Sequence, residues 1–98
     1  MIFTDEIIKS LDKIVTSYGW ELNKSNGKKV VWAEKTIRDL PSRSWISISI
    51  DFHALDDGYK VGHNWSAAKG IDTETSKQFT DALIKSEKII ERSKAILG

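Results

Sequence analysis

Between Trp45 and Leu55 the chain alternates strictly. Ile46, Ile48, Ile50, Phe52 and Ala54 are apolar, and Ser47, Ser49, Asp51 and His53 between them are polar. Side chains of a strand point alternately to its two faces, so this stretch predicts a half-buried β-strand with one face in a core. The second face carries small hydroxyls, a carboxylate, an imidazole and Trp45, where a solvated face usually carries Lys, Glu and Thr. That composition points to a surface that something approaches closely.

The remaining pattern builds outward from that strand. Ile7, Leu11, Ile14 and Tyr18 recur at helical spacing, widened by Ile8 and Val15. Thr4 serves as N-cap, Asp5 and Glu6 suit the positive end of the helix dipole, Phe3 staples onto Ile8, and Gly19 ends the helix. Asn26-Gly27 predicts a type I′ hairpin turn between strands at Trp20 to Lys24 and Lys29 to Ile37, with Leu22 opposite Val31 and Trp32 on the other face. Thr36 to Ser44, holding Arg38, Asp39, Pro41 and Arg43, reads as a loop. Asp57-Gly58 predicts a second tight turn into Tyr59 to Ala68. This register sets Phe52 opposite His63, Ile50 opposite Trp65 and Asp51 opposite Asn64, so His63 and Trp65 are expected in the core. Asp72 or Thr73 caps a last helix to about Leu97, with Phe79, Ala82, Leu83, Ile89, Ile90, Ile96 and Leu97 as its stripe and the small Ser86 and Ser93 within it. The expected fold is α+β: an antiparallel meander of three to four strands, with the N-terminal helix and the long C-terminal helix packed on one face in the order α-β-β-β-β-α.

Composition narrows the function classes. Residues 1–98 suit one domain. A net charge of +1 fits neither a strongly basic nucleic-acid binder nor an acidic mimic of one. With no cysteine and two histidines there is no disulfide framework or thiolate metal site, and no metal or cofactor is expected. No apolar run approaches the ~18 residues of a membrane span and no leader pattern opens the chain, so a soluble cytoplasmic protein is expected. Four tryptophans are many for 98 residues, and Trp serves both cores and binding surfaces.

Candidate chemistry follows from the faces. Ser49, Asp51 and His53 share one side of one strand, but a nucleophilic triad needs the imidazole between hydroxyl and carboxylate, and here Asp51 stands in the middle. No enzymatic activity is expected. Trp32 and Trp45, with Ser47, Ser49, Asp51, His53, Asn64 and Ser66, form the predicted partner-binding face. Lys24, Lys28 and Lys29 at the first hairpin tip, with Arg38 and Arg43, are the residues an RNA or DNA backbone would engage. His63 is expected as a packed core histidine, with a pH switch as its alternative role.

The order of elements resembles the double-stranded-RNA-binding domain in topology. Where that family carries a lysine-rich helix start and a loop histidine, this chain has Asp72, Thr73, Glu74 and Asn26-Gly27, so its RNA function does not carry over. In size, lack of cysteine and lack of a catalytic motif the chain is also similar to small phage-encoded inhibitors of host defence. The expectation is a stoichiometric protein-binding module, an inhibitor or adaptor, acting through the bare sheet face and hairpin loops. Nucleic-acid binding is the second reading, and a homodimer through the C-terminal helix the third.

Overall fold

The computed structural model describes residues 2–40, 44–67 and 73–97. It contains α1 (Asp5–Ser17), β1 (Glu21–Lys24), β2 (Val30–Leu40), β3 (Ser44–Leu55), β4 (Gly58–Ala67) and α2 (Thr73–Leu97). The four strands form one antiparallel meander in the order β1-β2-β3-β4, so the expected α+β architecture is present.

Helix α1 begins as its sequence dictates: the Thr4 hydroxyl accepts the Ile7 N–H at 3.2 Å. It ends at Gly19, whose φ of +78° suits a residue without a Cβ. Leu11 and Val15 are fully buried, and Phe3 lies against Tyr59 with ring centroids 5.2 Å apart. The core sits where both helices meet the even residues of β3: Ile46, Ile48, Ile50 and Phe52 are at most 1% exposed. Each such side chain contributes on the order of 1.5–3 kcal/mol when buried. Helix α1 packs on β1 and α2, whereas α2 packs on β3 and β2. Ser86 and Ser93 let α2 approach closely and are fully buried within the chain, the Ser86 hydroxyl donating to the Leu83 carbonyl at 2.7 Å.

Both hairpins differ from the sequence expectation, each by a register shift of two residues but in opposite senses. Strand β1 pairs Leu22 with Ala33 and Lys24 with Val31, a shift of two residues. The loop spans 26–29, closed by Ser25 N–H to Val30 O, and the left-handed residue is Lys28 (φ +54°) rather than Asn26 or Gly27. The wider loop lets the Lys28 carbonyl accept the Phe3 N–H at 2.8 Å, which ties the N-terminus to the sheet. In the second hairpin Leu55 pairs with Gly58, so the turn residues are Asp56 and Asp57, and Gly58 takes the positive φ of +148° as the first strand residue. A slip of two preserves every face.

Two further expectations are corrected. Thr36 to Leu40 continue β2 instead of forming a loop: Thr36 pairs with Ser47, Ile37 with Ile46, and Leu40 with Ser44 across a bulge. Pro41 and Arg43 lie outside the described residues, as does Asp72. His63 and Trp65, expected in the core, do share its face, opposite Ile50 and Ile48, yet both are exposed, Trp65 by 59%. The cause is lateral. Strand β4 is the sheet edge, and α2 lies over β2 and β3 instead.

Candidate functional site

The pleat sends the odd residues of β3 to the side of the sheet away from the helices, and the ladder fixes what surrounds them. From the hairpin-loop end, successive rows across the sheet read Val30–His53–Lys60, Asn23–Trp32–Asp51–Gly62, Glu21–Glu34–Ser49–Asn64, and Thr36–Ser47–Ser66. Trp45 closes the far end and is 38% exposed. Every residue of the expected partner-binding set therefore lies on this one surface. The two tryptophans are not a contacting pair, however. Six positions along β3 separate Trp45 from Asp51, the neighbour of Trp32, roughly 20 Å at the usual rise. They bracket a polar strip.

Short-range bonds order that strip. Asn64 Nδ2 donates to Asp51 Oδ2 at 2.6 Å, reaching diagonally because its directly opposite residue is Ser49. Asn23 Nδ2 donates to Glu34 Oε1 at 3.2 Å, and Thr36 Oγ1 lies 3.5 Å from Ser47 Oγ. Asp51 is thus bonded to an amide and not to His53, and the face holds no serine–histidine pair. Among the described residues no group of three or more His, Cys, Asp or Glu side chains is arranged to hold a metal.

Among the face residues outside the expected set, Glu21, Glu34 and Gly62 surround the Trp32–Asp51 pair most closely. The period-two pattern already contained the first two, since Glu34 follows Trp32 by two positions and β1 is its neighbour. Their effect is electrostatic. Half-buried Trp32 stands next to Asp51, with Glu34 and Glu21 in the adjoining row. Gly62 leaves a hollow on the β4 side of Asp51, where an added Cβ would come no closer than 3.9 Å to anything.

The basic set is dispersed. Lys24 and Lys29 are exposed at the loop end. Lys28 Nζ is held 2.8 Å from Asp5 Oδ1, and that hydrogen bond and its charge hold the Asp5 carboxyl below the usual carboxylate value. Arg38 lies eight positions beyond Val30 along β2, roughly 27 Å away, and Arg43 lies outside the described residues. No single stripe joins them. Elsewhere, no described helix is long and apolar enough to cross a membrane. Comparison of the chain with protein-family models, with curated proteins and with solved structures finds no match to any of them.

Proposed function

We propose that the chain is a non-enzymatic protein-binding module, an inhibitor or adaptor that works by stoichiometric contact through the bare sheet face between Trp32 and Trp45. One observation carries this reading: Trp32 sits half-buried beside Asp51, with Glu34 and Glu21 in the next row, on a face that the helices leave uncovered. A rigid aromatic with ordered polar neighbours is the composition of a binding hot spot. The carboxylates repel phosphates, which disfavours bases stacking on the same ring, and they favour a partner that presents Arg or Lys.

The test is capture from native lysate with three folded baits: wild type, Trp32→Ala/Trp45→Ala, and Glu34→Lys. A partner held in one-to-one ratio by wild type is expected to be lost from both variants. A truncated hot-spot Trp costs at least about 2 kcal/mol, or roughly 30-fold in affinity. Retention of every partner by both variants would show that this face is not the contact surface. Tight, salt-sensitive binding of RNA or DNA by wild type would instead favour the second reading.

A further inference from the structure

The two edges of the sheet are treated very differently. Beyond Glu34, where β1 stops, the outer edge of β2 runs through Lys35, Thr36 and Ile37 and then meets the bulge between Ile37 and Leu40. Short length, cationic residues and a bulge are the devices that keep a free edge from pairing. Strand β4 is neither short nor bulged, and it carries a single cationic residue. Its ladder with β3 runs without a shift from Leu55–Gly58 to Ile46–Ala67, it holds no proline, and Lys60 is its one formally charged residue.

Hydrogen-bond alternation shows which β4 backbone groups have no strand partner among the described residues. The Ala54 N–H donates to the Lys29 carbonyl, so even residues of β3 turn their backbone groups to β2 and odd ones to β4. His53, Asp51, Ser49 and Ser47 are opposite Lys60, Gly62, Asn64 and Ser66, so these β4 residues point inward. The N–H and C=O groups of Tyr59, Val61, His63, Trp65 and Ala67 therefore point away from the sheet. Their side-chain positions fall on the helix side, where Trp65 touches Phe79 edge-on at 5.2 Å and is still 59% exposed.

The geometry points to a second copy of this chain as the occupant of that edge. Antiparallel pairing of β4 with β4 about His63 joins every outward backbone group from Tyr59 to Ala67 to its counterpart. In that register Val61 lies opposite Trp65 of the second copy, an aromatic against a β-branched residue, which is a favourable cross-strand pair. On the other side Lys60 lies opposite Ser66 and Gly62 opposite Asn64, so no Lys meets a Lys. The contact is isologous and closes at two copies. The two-fold axis stands normal to the sheet, so both helical layers lie on one side and both Trp32 faces on the other. The four-stranded sheet is thereby doubled. This pairing is independent of the partner-binding reading and uses neither Trp32 nor Trp45.

The test combines sedimentation equilibrium of the full chain, from about 1 µM to about 1 mM, a range that brackets ordinary dimer affinities, with amide hydrogen exchange. Wild type is expected to dimerise, with the amides of Val61, His63 and Trp65 becoming protected as concentration rises. Val61→Lys and His63→Pro are expected to weaken dimerisation by at least about tenfold. The first changes an edge side chain, and the second removes an N–H that points away from β3. Ile84→Lys and Ile96→Lys on the exposed side of α2 are expected to leave it unchanged. A wild type that stays monomeric throughout, fast exchange of those amides in a dimer, or loss of the dimer in the α2 variants alone would each overturn the assignment.

Discussion

Ile50 and His63 face each other across β3 and β4 on the same side of the sheet, yet Ile50 is fully buried and His63 is exposed. The next pair repeats the contrast: Ile48 is 1% exposed and Trp65 59%. The pleat decides which face a residue joins, but burial depends on where the helix lies across that face. Since α2 sits over β2 and β3, the apolar layer falls away at His63 and Trp65, while Tyr59 and Val61 nearer the hairpin turn still pack on the core. The same comparison separates what holds the domain together from what is left to meet another molecule. Ile48 and Ile50 of β3 are sealed in the core, and His63 and Trp65 beside them on the edge strand are not.

The largest test of that difference compares two truncations on one face. Ile50→Ala is expected to cost about 2–5 kcal/mol, because it removes fully buried methylene and methyl groups and leaves a cavity in a packed layer. Trp65→Ala removes a larger side chain but mainly an edge contact with Phe79, for which about 0.5–1.5 kcal/mol is expected. Urea denaturation of both variants, at concentrations where the chain is monomeric, measures the two values. Equal losses would mean that Trp65 belongs to the core after all.

A smaller test lies on the bare side. Gly62 does not have a positive φ, and a Cβ there would make ordinary contacts at 3.9 Å with the Cβ and carbonyl of Asp51. Gly62→Ala is therefore expected to stabilise the chain by about 0.4–1 kcal/mol, chiefly by restricting the unfolded backbone. It also fills the hollow beside Asp51, so partner binding is expected to weaken while thermal stability rises. Destabilisation in a thermal melt would show the hollow to be tighter than the distances indicate.

How much of this could be read from sequence follows from the same geometry. The alternation from Ile46 to Phe52 identified the core face, and both hairpins kept it although each was placed two residues out of register, since a shift of two never exchanges faces. The turn residues were misplaced because Asn26-Gly27 and Asp57-Gly58 are strong local signals, while the loop is also shaped by a distant contact, the Phe3 N–H on the Lys28 carbonyl. Thr36 to Leu40 looked like a loop because Arg38, Asp39 and the following Pro41 are poor strand formers, yet pairing with β3 extends β2 through them. The exposure of His63 and Trp65 had no sequence signal. Periodicity gives the face of a strand but not its distance from the overlying helix.

The smallest expected effect concerns that Lys28 loop. Asp5 lies outside the helix–sheet core, and its carboxyl titrates below the ordinary value because Lys28 Nζ donates to it and because of the lysine's charge. A carboxylate whose folded pKa is depressed contributes stability that is fully present above its unfolded value, about 3.9, and is lost as pH falls through the lower folded value. Asp5→Asn is thus expected to be slightly less stable than wild type near neutral pH, with the two melting temperatures converging below about pH 4. Because both partners are exposed to solvent, salt near 1 M screens the pair and is expected to remove the neutral-pH difference. The substitution leaves the Phe3 to Lys28 backbone bond untouched, so it isolates the ion pair from the loop's conformation. A difference that did not shrink as pH falls below about 4, or that persisted in high salt, would assign the role of Asp5 to its place in the first turn of α1 rather than to Lys28.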